Sequence, residues 1–563
     1  MQSNILTPVT LWKDFNADLP LQDVIVNEYK FEGVKRMEVY FSGRQAEGGR
    51  PRIYARFAVP DDKEKHAAIL IIPDIHGGID NEIIERFAKR NYAVLYVDIA
   101  GAKKDTNKFT IYPKSINYAN TDEAGRHLTH ADETAKETSW YEWTAVARYA
   151  VSYLCQRHDV DSGRIGVIGL KEGANILWQL IGTDTRLAAA VPVFGAGWSA
   201  YKGVYKFKEV NIIEMDDERY RFLAGVDAHA YAQYANCPVL YLSCTNERTY
   251  DADRAFDTLA RVNPAQDVYF NFSIMLDGFI DKDALTDIDL FFKKYLKGEE
   301  IYLPKEVDIS IENFEGKVGI NVLYDNCIAA DEINVYYSEG SVNPCFRNYF
   351  KAKSAEAKNK NMFIADVYMP DNDFYAIAQV KYSNQFTITS RIVHKIIKDL
   401  KIKQFASKGK ILYDSTMDKG SFTIDRPRKN VLNDIISYDG SEISLEEGPY
   451  GIKGITSKYY LKTYITSDNR FKPDSKIILK LDCYTKKYAV LSILVIKYNS
   501  ETNKRLEFNY EVGLTGGEFW QNIVIHPSDF KNSLGHQFIS FEDAALFIFK
   551  TTDKVLFNNI IWV

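Results

Sequence analysis

In this 563-residue chain, residue types and spacing point most directly to chemistry at Gly169-Leu170-Lys171-Glu172-Gly173. The run follows an apolar stretch, Arg164–Gly169, and opens a helical one, Ala174–Gly182. A glycine on each side of a strand-to-helix turn lets the two elements approach where a Cβ would clash, and lifts the middle residue above the sheet. A serine there becomes a nucleophile when a histidine takes its proton and a carboxylate holds the histidine. Both glycines are present here, but the middle residue is Lys171.

The partner positions follow in chain order. The acid is expected past the apolar run Pro238–Cys244, where Cys244-Thr245-Asn246-Glu247 keeps a carboxylate at Glu247. The histidine is expected in the loop Met275-Leu276-Asp277-Gly278-Phe279, where Asp277 stands instead. The nine histidines are at 66, 76, 127, 130, 158, 229, 394, 526 and 536, so none lies between 229 and 394 to serve as that base. A lysine near neutral pH is a protonated point charge, and nearby carboxylates make it a poorer nucleophile. Lys171 is therefore expected to ion-pair with Asp277 or Glu247. Such a cluster would hold the turn together or, in a repurposed site, bind an anion or a carboxylated sugar. Schiff-base chemistry at Lys171 would need a lowered pKa, which this setting opposes.

Asp74-Ile75-His76-Gly77-Gly78 follows the first buried run, where acyl-transfer sites place an oxyanion loop. Its N–H groups, with that of Glu172, would form an anion-binding nest or survive only as a turn. His76 is the histidine expected nearest Lys171, and it reads as a packing residue of the loop more than as a base. His127 and His130 lie in a polar loop beside Asp132 and Glu133. Their flanks read as solvated, so no metal site and no cofactor are expected.

The elements that must position these residues alternate in type. Ala67–Pro73, Tyr92–Asp98, Arg164–Gly169, Ala188–Gly195, Pro238–Cys244 and Val268–Ile274 are near-continuous apolar runs, as in strands buried on both faces of a parallel sheet. Between them, Ser139–Arg157 repeats apolar residues at helical spacing, and Leu285–Leu296 ends in lysines before Gly298. This predicts a doubly wound α/β domain over 1–300. From 304 to 390, strands such as Val307–Ile311, Lys317–Leu323, Glu332–Tyr337, Met362–Tyr368 and Phe374–Tyr382 fit a sandwich of immunoglobulin-like size. Residues 391–407 read as a basic connector with partly helical period. From 408 to 563, about eight strands suggest a jelly roll, whose clearest strands are Ile477–Tyr484, Val490–Asn499, Leu506–Val512, Trp520–His526, Ala545–Lys550 and Val555–Val563. There Tyr450, Tyr459 and Tyr460 are candidates for stacking on sugar rings, while Trp520 and Trp562 read as core.

Composition bounds the partners. A net charge of −6 with interspersed signs carries no footprint for nucleic acid. No stretch reaches the ~18 apolar residues of a membrane span. The N-terminus shows no signal peptide, so the chain as it stands is expected to be cytoplasmic, or extracellular if a leader was removed. The six cysteines are irregularly spaced and read as reduced core residues.

The stretch SWYEWTAVARYAVSYLCQRHDVDSGRIGVIGLKEGANI resembles the approach to the nucleophile in acetyl-xylan-esterase and dienelactone-hydrolase-like proteins of the α/β-hydrolase superfamily. RYRFLAGVDAHAYAQYANCPVLYLSCTNE is similar to their approach to the acid. The resemblance covers about residues 20–300 and implies an esterase fold whose serine, acid and histidine positions are Lys171, Glu247 and Asp277. FWQNIVIHPSDFKNSLGHQF and ALFIFKTTDKVLFNNIIWV resemble the end of galactose-binding-like jelly rolls of carbohydrate-binding modules, which implies a glycan ligand. The leading expectation is a non-catalytic, carbohydrate-associated binding or scaffolding protein. The alternatives are a hydrolase with a nucleophile displaced to the 197–236 insertion or the oxyanion loop, and a purely structural assembly protein.

Overall fold

The structure is a computed structural model that describes all residues except 1–3, 103–106, 202–203, 209–214, 356–360, 369–372, 427–437 and 499–503. Part of the 197–236 insertion and the end of the strand expected at Val490–Asn499 thus lie outside the described residues.

Nine strands form the first sheet: β1 (Val24–Phe31), β2 (Val34–Ser42), β3 (Arg52–Pro60), β4 (His66–Ile72), β5 (Ala93–Val97), β6 (Val160–Leu170), β7 (Leu187–Val193), β8 (Val239–Cys244) and β9 (Val268–Ser273). Their order is β1-β2-β3-β5-β4-β6-β7-β8-β9. The six apolar runs of the sequence are β4 to β9 and pair in parallel. Ahead of them, β1 to β3 add an antiparallel flank. Alternation divides the core. Ala68, Leu70 and Ile72 of β4 pack with helices Ser139–Gln156 and Glu172–Ile181, whereas Ala67, Ile69 and Ile71 pack with Asn81–Ala88 and Asp283–Lys297 on the other face.

Beyond residue 304 the described strands pair antiparallel. One four-stranded sheet is built on Val307–Phe314 and Lys317–Tyr324, and faces a second built on Ala330–Glu339 and Asp373–Tyr382. The expected connector is partly sheet: Val393–Ile396 pairs with Asp373–Tyr382, and only Ile397–Leu400 makes a short 3-10 turn. The β-branched Ile392, Val393 and Ile396 are what the helical reading overlooked. The last region holds a six-stranded sheet around Leu479–Tyr484 and Leu556–Trp562, and a five-stranded one around Ala489–Tyr498 and Leu546–Thr551. It has its own core, whereas the preceding sheets share one with helix Asp283–Lys297.

Candidate functional site

The turn after β6 keeps the geometry of a nucleophile elbow. Lys171 has φ 51° and ψ −109°, a strained conformation for a residue with a Cβ. A Cβ at Gly169 would sit 2.4 Å from the Gly173 carbonyl oxygen, and one at Gly173 would sit 2.3 Å from that of Ile72. Both glycines are thus required by close backbone approach, and the helix Glu172–Ile181 starts where the chain lifts Lys171 off the sheet.

The charges around the elbow pair differently from the sequence expectation. Lys171 Nζ lies 3.7 Å from Asp74 Oδ2. Asp277 instead meets Arg248 at 2.7 Å and Lys462 at 3.0 Å. Lys462 is buried and comes from the last β region, on strand Tyr460–Thr463. The expected cluster of Lys171, Asp277 and Glu247 is therefore corrected: a cation some 185 residues downstream reaches Asp277, and Lys171 takes the nearer acid of the oxyanion loop. Glu247 is buried, and its Oε1 accepts the Thr249 N–H at 3.1 Å.

Of the two expectations for this loop, an anion-binding nest or a plain turn, its hydrogen bonds favour the turn. The His76 N–H donates to Asp74 Oδ1 at 2.6 Å. The Gly77 N–H turns back onto the Asp74 carbonyl at 2.9 Å. Two of the loop donors are thus already held by Asp74, while the Gly78 carbonyl accepts the Tyr96 hydroxyl at 3.1 Å. Burial and then the neighbouring Asp74 charge push the Glu172 carboxyl up to about 7.

Beside Glu172 opens a cavity of about 470 Å³. Glu172, Glu247 and Asp251 line it with His76, and Trp140, Trp198 and Tyr250 supply ring faces. Burial, followed by the Asp253 charge, also pushes Asp251 up to about 7. Neither Lys171 nor Asp277 lines the cavity. Its far wall belongs to the appended regions: Asn343–Phe346, and Tyr498, whose ring centroid is 4.3 Å from that of Phe346. Sequence reasoning missed this wall, because nothing local marks a turn some 100 residues away as a cover for the acid loop. The turn is anchored by Asn246, whose Nδ2 donates to the Cys345 and Arg347 carbonyls at 3.2 and 2.9 Å. Behind it Arg347, wholly buried, grips Asp253 through two hydrogen bonds of 2.7 and 2.6 Å.

Ser199 is the serine among the cavity's described lining residues, and it lies in the 197–236 insertion. Its Oγ donates to Asp227 Oδ2 at 2.5 Å. The nearby His229 is stacked on Trp198, with centroids 5.1 Å apart, and burial holds its pKa low. No hydrogen bond joins it to Ser199 among the described residues. His127 donates to or accepts from neither acid of its loop: its Nδ1 meets the Glu137 carbonyl at 2.7 Å, and His130 meets Thr129 at 2.8 Å. Among the described residues no His/Cys/Asp/Glu group has metal-binding geometry, and no helix is long and apolar enough to cross a membrane.

The three tyrosine candidates do not form one platform. Tyr450 is 87% exposed with φ 63°, Tyr459 packs on the core of the last region, and Tyr460 belongs to a separate cluster with Phe346 and Tyr464. Tyr459 lies in the bend before strand Tyr460–Thr463, so the two rings do not share a strand face. Trp562 is core as expected, while Trp520 is half-buried with its Nε1 on the Pro449 carbonyl at 3.2 Å.

The parallel sheet, elbow and acid loop define an α/β-hydrolase-type domain. Residues 53–259 match the dienelactone hydrolase family, so this stretch is a domain of that family. Among solved structures, the chain is similar to the acetyl xylan esterase from Paenibacillus sp. R4, at 16% identity and TM-score 0.39 over 51% of this chain and 92% of the other. Acetyl xylan esterase 1 from Thermoanaerobacterium sp. JW/SL YS485 matches at 14% identity and TM-score 0.36, over 49% and 89%. The glucuronoyl esterase from Solibacter usitatus matches at 10% and 0.35, over 48% and 86%. No curated protein matches the chain.

Proposed function

We propose that this protein binds its ligand without hydrolysing it. It is a carbohydrate-associated protein whose hydrolase-type domain supplies the cavity and whose two β regions, of immunoglobulin-like and jelly-roll build, wall it. The observation that carries this reading is the oxyanion loop, where the His76 N–H is taken by the Asp74 carboxylate and the Gly77 N–H by the Asp74 carbonyl. Acyl transfer builds negative charge at that spot, and carboxylates there oppose it. Lys171 at the elbow and Asp277 at the base position, held by Arg248 and Lys462, support the same reading. The carboxyls and ring faces of the cavity suit a neutral polyhydroxyl ligand: rings pack on pyranose faces and carboxylates accept from hydroxyls.

The test has two arms. The purified chain should neither turn over p-nitrophenyl acetate nor take a fluorophosphonate label. Turnover that survives Lys171→Ala and falls with Ser199→Ala would instead establish a displaced nucleophile. On a glycan array the full chain should bind, and Trp198→Ala should remove that binding; a blank array counts against the carbohydrate assignment.

A further inference from the structure

The first sheet has two ends, and they are treated differently. At one end β9 is covered, with its Phe272 N–H donating to Thr389 Oγ1 at 3.3 Å and strand Thr387–Thr389 beside it. At the other, β1 bonds only to β2, and all eight of its residues are exposed. Five are large and apolar: Val24 (51%), Ile25 (44%), Val26 (46%), Tyr29 (51%) and Phe31 (56%). A long edge strand with apolar side chains on both faces invites another strand.

The charges of β1 say which strand. Its pairing with β2 slips between Ile25 and Asn27, so the regular part is Asn27–Phe31, five residues centred on Tyr29. Glu28 and Lys30 flank that centre on one face. A copy of the same strand, related by a two-fold axis through Tyr29, sets each Glu28 directly opposite a Lys30. The existing ion pairs extend into this arrangement, since Lys30 meets Asp61 at 2.7 Å and Glu28 meets Lys35 at 3.2 Å on the same face. Tyr29 faces its own counterpart, and Phe31 lies opposite Asn27.

We propose that β1 is a dimerisation edge, where a second copy of this chain pairs antiparallel about Tyr29 and joins the two nine-stranded sheets into one. Main-chain hydrogen bonds supply the affinity, and the two Glu28–Lys30 pairs select the register.

Sedimentation and light scattering of the full chain over a dilution series should show a two-chain particle at high concentration. Glu28→Lys alone, or Lys30→Glu alone, places like charges opposite one another twice, and should raise the dimer dissociation constant roughly ten-fold. The double substitution Glu28→Lys/Lys30→Glu restores opposite charges and should restore the dimer. Tyr29→Cys puts two thiols face to face at a Cα separation of about 4.5–5.5 Å, within reach of a disulfide. Oxidation should therefore link it into a dimer on a non-reducing gel. A wild-type chain that stays single throughout the series overturns the proposal. So does a dimer indifferent to both single substitutions, a loss the double substitution does not rescue, or a Tyr29→Cys chain that does not cross-link.

Discussion

Burial and the adjacent Asp74 charge push the Glu172 carboxyl up to about 7, so its charge changes near neutral pH. A carboxyl raised in the folded state binds its proton more tightly there than in the unfolded chain. Its contribution to stability is therefore fully present below its ordinary value of 4.5, and is lost as pH rises through about 7. Glu172→Gln removes that loss. The variant should be about as stable as the parent at pH 4.5 and more stable at pH 8, by on the order of 1–3 kcal/mol, as read by urea unfolding at both pH values. Asp251, raised in the same way by burial and Asp253, keeps part of the pH dependence in the variant. Lys171 belongs to the same scale. Returning a serine with Lys171→Ser should leave the chain unlabelled by a fluorophosphonate. The serine would stand on a correctly strained turn, but the base position holds Asp277, clamped by Arg248 and Lys462.

At the scale of elements, the turn Asn343–Arg347 joins the second β region to the acid loop. Asn246 holds its carbonyls, and Arg347 reaches helix Ala252–Leu259 at Asp253. The guanidinium also lies 3.4 Å from the Tyr375 ring centroid, so it has both an ionic partner and a packed face. Removing one partner of a buried ion pair leaves the other charge uncompensated. Arg347→Leu should cost about 3–5 kcal/mol in denaturant unfolding, and adding Asp253→Asn should recover part of it. Because this turn lines the cavity, the single variant should also weaken the glycan binding proposed above.

For the whole molecule, the hydrolase-type domain and the β region after it share an apolar core. Ile288 and Phe291 of helix Asp283–Lys297 lie in the same cluster as Val335, Ala378 and Ile388. Asp287, buried in that helix, accepts the Thr387 N–H at 2.9 Å. A chain ending near residue 303 would expose this face and strand Asp287 without its partner. It should bind the dye ANS and aggregate under conditions where the full chain does neither. The last region keeps a separate core, but is tied to the first through Lys462 on Asp277.

The parallel strands, the elbow glycines and the missing serine and histidine were legible in the sequence. Short near-continuous apolar runs alternating with helical stretches read as strands buried on both faces, and close backbone approach leaves no alternative to glycine at 169 and 173. Residue identity alone excludes an imidazole between 229 and 394. The identity of each charge's partner was not legible, because a salt bridge depends on distance in space and carries no local spacing rule. Lys171 therefore turned to Asp74, and Asp277 was met by Lys462 from the far end of the chain. The same holds for the cavity, whose walls come from residues between 75 and 254, from 343–346 and from Tyr498, and for the exposure of β1 on both faces. The sequence determined which residue stands at the elbow; only tertiary packing decided what surrounds it.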